Sequence, residues 1–201
     1  MKKSVIKNTL ILVAISLSAA LLLSVTYAVT KNKIAEAEEK ERMDSFYTVM
    51  ENAKEFEQIP DTEISDWNGK QTLGGTVLSA FKAYDGDKNE IGVVVSAKSP
   101  NGYGGDITLS LGVDKNGVIT GMMVTNMSET SGLGSECQNE KWAAQFAGLS
   151  RYPLSYVQKG QPEGDTVDAL TGATKTTRAV LEATNAGLLF SQEYIRGEAA
   201  E

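Results

Sequence analysis

The stretch best suited to chemistry is Asp168-Ala169-Leu170-Thr171-Gly172-Ala173-Thr174-Lys175-Thr176-Thr177, which opens a helical pattern that continues to Tyr194. Thr171 or Thr174 is placed to cap that helix. Gly172 and Ala173 keep bulk away from the Thr174 hydroxyl, so a large group can reach it. A helix start presents N–H groups without intrahelical acceptors and the positive end of the helix dipole. A phosphate there is stabilised electrostatically, and Lys175 adds its charge. The string suits a hydroxyl that carries a phosphate ester; a capped helix start with no ligand is the alternative. Lys175-Thr176 also resembles the end of a nucleotide-phosphate loop. That reading fails because Thr174 stands where the loop needs glycine, and the upstream glycine spacing is wrong.

The rest of the composition narrows what such a site can do. The 201 residues include no histidine, which excludes histidine bases, histidine metal ligands and a Ser-His-Asp triad. One cysteine, Cys137, permits neither an internal disulfide nor a cysteine-ligated cluster. The net charge of −7 argues against a nucleic-acid partner. Residues 1–33 carry five lysines and no acid, so the remainder holds 14 basic and 26 acidic side chains. With so few groups for acid–base or nucleophilic work, redox chemistry on this chain needs a bound cofactor.

Two glycine-rich segments could close over a ligand: Asn101-Gly102-Tyr103-Gly104-Gly105 and Glu129-Thr130-Ser131-Gly132-Leu133-Gly134. Glycine lets backbone approach a flat group or adopt positive φ, although each segment alone also reads as a turn. The elements that must position them are strands. Thr76–Tyr84 and Ile91–Lys98 flank a polar loop, and Ile107–Val113 and Val118–Thr125 flank Asp114-Lys115-Asn116-Gly117. Asn116-Gly117 predicts a type I′ turn, with both central residues at positive φ. Helical spacing returns at Glu140–Ala147 and Thr174–Tyr194, where Ala179, Ala183, Ala186 and Phe190 share a side with Val180 and Leu188 near them. The fold class is α+β, an antiparallel sheet with packed helices.

Thr9–Val29 is an uncharged run of 21 residues, enough for one transmembrane helix through the bilayer of the cell membrane. It exceeds the apolar core of a cleaved signal peptide, and Thr26 and Ala28 make a poor cleavage site. Lys2, Lys3 and Lys7 precede the span and Lys31 and Lys33 follow it, which favours a cytoplasmic N-terminus. The expected organisation is a membrane anchor at 1–33, a stalk helix at 34–60, an extracytoplasmic domain at 61–195 and a tail at 196–201. Met43, Phe46, Met50 and Ala53 give the stalk one apolar stripe, and Ile59-Pro60-Asp61 ends it.

Together these motifs resemble a known family. The Thr171-Gly172-Ala173-Thr174 string after Asp168, with Tyr103-Gly104-Gly105, Glu129-Thr130-x-Gly132-Leu133-Gly134 and the Trp142 to Phe146 helix, is similar to covalent FMN-binding domains. The likeness covers roughly residues 75–190 in the same order. With one N-terminal span, it most resembles the G subunits of Rnf ion-translocating electron transport complexes. The C subunits of sodium-pumping NADH:quinone reductases are longer relatives. The resemblance implies FMN held through its phosphate on Thr174, with Thr171, Gly172, Ala173, Lys175 and Thr176 around the attachment. It implies Tyr103, Gly104, Glu129, Thr130, Gly132, Leu133 and Gly134 near the ring. It also implies a separate flavin transferase, membrane subunits as partners and no turnover by this chain alone. Met127 and Ser131 depart from the family pattern, where His and Pro are common; neither forms the bond. A component of a sodium-pumping quinone reductase, a free-standing extracellular flavin carrier and a cofactor-free anchored interaction module remain open.

Overall fold

The computed structural model describes residues 2–158, 162 and 164–197. The chain forms two compact units, Met1–Glu41 and Arg42–Glu201. Helix α1 runs Lys2–Val49, so its last turns belong to the second unit. From Val5 to Val29 every side chain is exposed. This helix is long and apolar enough to cross a membrane. An apolar helix with no protein around it is what a bilayer covers.

The second unit is built on one sheet of five antiparallel strands in chain order: β1 Glu55–Gln58, β2 Thr76–Tyr84, β3 Glu90–Ser99, β4 Ile107–Asp114 and β5 Ile119–Asn126. Val95 of β3 lies opposite Ala80 of β2 and Leu111 of β4. One face carries Val77, Val93, Val95, Ala97, Leu109, Leu111 and Val113 in the main core. Helix α4, Thr174–Arg196, packs on that face with Ala179, Val180, Ala183, Ala186, Leu188 and Phe190 fully buried. Small residues bring the helix close: a Cβ on Gly187 would stand 3.1 Å from Leu111 Cδ2.

The last turns of α1 cover the opposite face. Phe46, Val49 and Met50 bury against Phe81, Ala83 and Val94, with the Phe46 and Phe81 rings 5.1 Å apart. Gly112 and Gly121 form the floor, where a Cβ would meet the Val49 carbonyl oxygen at 2.5 Å and 3.2 Å. Ser45 and Ser110 share a buried hydroxyl bond of 2.7 Å. Both faces of β3 are therefore covered, which explains why Val93-Val94-Val95 is apolar without alternation.

The predicted stalk helix ends earlier than its composition suggests. It stops at Val49, and Glu55-Phe56-Glu57-Gln58 pairs with β2 as an edge strand. Glutamate favours helix locally, but ladder bonds to Tyr84 through Phe81 and the packing of Phe56 on Phe46 override it. Pro60 then caps α2, Asp61–Lys70, which buries Ile64 and Trp67. The Asp114–Gly117 turn also differs: of its residues only Gly117 has positive φ, because the Asp114 carboxylate accepts the N–H groups of Asn116 and Val118. The Glu140–Ala147 helix shortens to α3, Glu140–Ala143, and a 3₁₀ turn at Ala144–Phe146. Two short strands, β6 Ser155–Val157 and β7 Thr166–Asp168, pair in parallel before α4. Gly197 closes α4 with φ +79°, and residues 198–201 of the expected tail lie outside the described residues.

Candidate functional site

Thr174 is the first residue of α4, and neither it nor Thr171 caps the helix; Ala173 occupies that position and makes no side-chain cap bond. A helix start has N–H groups without intrahelical acceptors, and no side chain caps this one. The turn before it is held from inside. The Leu170 carbonyl accepts the Ala173 N–H at 3.0 Å, and Gly172 supplies φ +75° at the third position. That φ is why glycine precedes Ala173. Thr177, buried in the first turn, accepts the Leu170 N–H at 3.0 Å and donates to the Ala173 carbonyl at 3.1 Å. Trp142 Nε1 donates to the Asp168 carbonyl at 2.8 Å, and Gln145 accepts the Asp168 N–H at 2.7 Å. The segment leading to Thr174 is thus pinned at both ends.

A cavity of about 330 Å³ opens beside Thr174. It is lined by Gly172, Ala173, Thr174, Lys175 and Thr176 from the α4 start, and by Tyr103, Glu129, Thr130, Leu133 and Gly134 from the glycine loops. Ten of the thirteen expected site residues meet there. Thr171 and Gly132 line a neighbouring hollow with Trp142 and Gln145 instead. Gly104 is not in the wall but lies next to it, where a Cβ would collide with the Ser128 carbonyl oxygen. The second loop is folded by its own bonds: the N–H groups of Leu133 and Ser135 donate to the Thr130 carbonyl, and the Gly132 N–H donates to Ser135 Oγ.

The cavity has the volume of a small-molecule site, roughly 300–1,000 Å³. Tyr103 and Leu133 stand at it 70% and 46% exposed, two apolar surfaces that a flat ring would cover. The same wall holds a half-buried hydroxyl at a helix start beside an exposed lysine. These residues fit an aromatic group that carries a phosphate. Two members of the site carry no sequence signal. Gln158 Nε2 donates to Thr174 Oγ1 at 3.3 Å, from a polar segment with no distinguishing pattern. Thr177 ends the opening stretch, in the first turn of α4, where its spacing marks only a helix interior. Burial, and then the Glu129 charge, push the Cys137 thiol up to about 11, so it is a buried neutral group near the site. Among the described residues, no group of three or more His, Cys, Asp and Glu side chains could hold a metal ion.

Known proteins resemble this chain in both its N-terminal part and its domain. Residues 102–189 match the FMN-binding domain family, and residues 1–49 match the RnfG N-terminal region. The G subunit of the Na(+)-translocating ferredoxin:NAD(+) oxidoreductase complex of Acetobacterium woodii is 30% identical over 187 residues, 91% of this chain and 89% of that protein. The G subunit of the ion-translocating oxidoreductase complex of Aliivibrio fischeri is 28% identical over 92% of this chain and 89% of its own. Among solved structures, NqrC of Shewanella oneidensis superposes with a TM-score of 0.53 at 26% identity, over 61% of each chain. The matches span the anchor and the domain alike, over nearly the whole length of the relatives, and the chain belongs to the RnfG family of ion-translocating oxidoreductase complexes.

Proposed function

We propose that this protein is the electron-carrier subunit of a membrane-bound ion-translocating ferredoxin:NAD oxidoreductase, and that its FMN is esterified through the phosphate to Thr174. The observation that carries this reading is the Thr174 hydroxyl at an uncapped helix start, opening into a cavity walled by the two glycine loops. FMN takes up and releases one or two electrons. The chain's own residues do the rest. Thr174 supplies the ester oxygen, and the α4 start and Lys175 offset the phosphate charge. Tyr103 and Leu133 shelter the ring, and Gly172 gives the turn its shape. A covalent bond suits a domain outside the cell membrane, because a reversibly bound flavin is lost where free flavin is scarce.

The lysines before the span favour an N-terminus in the cytoplasm and a domain on the other side. One helix then keeps the domain among the membrane subunits of its complex, raising its effective concentration there. A separate flavin transferase makes the ester. The match of residues 1–49 to the RnfG N-terminal region favours this complex over a sodium-pumping quinone reductase.

The test is intact mass of the full chain with and without a co-expressed flavin transferase. Wild type gains the mass of FMN less one water, and Thr174→Ala gains nothing. A wild type that stays colourless and unshifted beside an active transferase refutes the attachment.

A further inference from the structure

Glu129 lines the cavity, yet both of its carboxylate oxygens are taken by the protein. Oε1 accepts the Gly104 N–H at 3.1 Å, and Oε2 accepts the Thr176 hydroxyl at 2.7 Å. Gly104 belongs to the loop that carries Tyr103, and Thr176 belongs to the first turn of α4, two residues from Thr174. Thr176 is 1% exposed, so its hydroxyl has been withdrawn from solvent to make this bond. The surrounding glycines leave room for the carboxylate and little more. A Cβ on Gly102 would stand 2.6 Å from Oε1, and one on Gly134 would stand 2.5 Å from Oε2. The close approach of Gly104 to Ser128 brings the Tyr103 loop within reach of the carboxylate.

We propose that Glu129 is a positioning residue that sets the width of the cavity by clamping the Tyr103 loop to the first turn of α4. The loop 101–105 and the α4 start are far apart in sequence, and one carboxylate is bonded to both. Hydrogen bonds to a charged acceptor are stronger than neutral ones. The clamp holds the Tyr103 loop against the α4 start whether or not a ligand is bound. Glutamate at this place therefore serves the shape of the site. Its bearing on flavin rests on the function proposed above, but the clamp itself is testable without any flavin.

Hydrogen exchange of the full-length, flavin-free protein in detergent reads the clamp directly, because the Gly104 amide owes its protection to Glu129. Glu129→Ala speeds exchange in residues 101–105 about tenfold or more, the scale of one bond to a charged acceptor. Glu129→Gln exchanges at a rate between wild type and Glu129→Ala, since its carbonyl still accepts from Gly104 and its amide donates to the Thr176 oxygen while the charge is lost. Where Glu129→Ala does not fold, Thr176→Val removes one anchor at constant shape and speeds the same amides several-fold. In flavin-loaded protein, the fluorescence anisotropy of the flavin falls in Glu129→Ala relative to Glu129→Gln. Unchanged exchange in both Glu129→Ala and Thr176→Val overturns the clamp. So does Glu129→Gln exchanging as fast as Glu129→Ala, since an amide that can still bond both segments would then hold neither. A wild type that accepts no flavin defeats the functional reading and leaves the exchange result standing.

Discussion

Thr177 is outside the wall of the cavity, yet the structure makes it the residue on which the Thr174 turn depends. Its hydroxyl accepts the Leu170 N–H at 3.0 Å and donates to the Ala173 carbonyl at 3.1 Å, with no exposed surface. Thr177→Val keeps the volume and removes both bonds. The Ala173 carbonyl retains the Thr177 N–H at 3.0 Å, so that loss is partly covered. The Leu170 N–H is left without its partner in a buried setting, which costs about 1–3 kcal/mol. In a unit of this size each kcal/mol lowers Tm by about 2–4 °C, giving a fall of roughly 2–12 °C. Thr177→Ser keeps the hydroxyl, loses one methyl and stays nearer wild type. Thermal unfolding of the full chain in detergent, followed by circular dichroism, measures the difference. Because the same bond shapes the turn before Thr174, Thr177→Val also slows flavin attachment in a timed mass assay with transferase present, whereas Thr177→Ser does not. Equal Tm values for the valine and serine variants would refute the assignment of Thr177 as the support of the turn.

Gly112→Ala drives a Cβ to 2.5 Å from the Val49 carbonyl oxygen and into Thr120 Oγ1, whereas Gly121→Ala meets Val49 at 3.1–3.5 Å. The first therefore costs about 1–3 kcal/mol of overpacking and the second less, an order that urea midpoints check. Cys137 reacts with iodoacetamide at pH 8 only after unfolding, because its thiol is held up to about 11 in the fold. The sign follows: an acid with a raised pKa is stabilising while neutral, so this contribution is full below the unfolded value near 9.0 and fades as pH climbs through about 11. Rapid native labelling at pH 8 would contradict the burial of Cys137.

The Thr171-Gly172-Ala173-Thr174 string at the helix start, the glycine loops, the four long strands and the last helix were all legible in the chain. Each is a local pattern: small residues at 172 and 173 beside Thr174, a period of two in β4, and small residues on one side of α4. Other features carried no such mark. Glu55–Gln58 has helix-favouring glutamates and becomes a strand only because β2 offers it an edge. The segment Asp61–Lys70 is short and polar, and its helix is stabilised once Trp67 meets the Phe190 ring at 5.3 Å. Gln158 reaches Thr174 across 16 positions, a proximity no spacing rule contains.

Sequence alone singled out the Thr174 hydroxyl as the candidate for a phosphate ester, since only residue types and a short helix start are involved. It also decided that one segment suits a bilayer, because length and apolarity suffice for that. The tertiary structure alone decided how wide the cavity is and what holds it so. Width is a distance between the Tyr103 loop and the α4 start, two segments lying far from each other along the chain. That distance exists only when the sheet has brought them together and Glu129 has bonded to both.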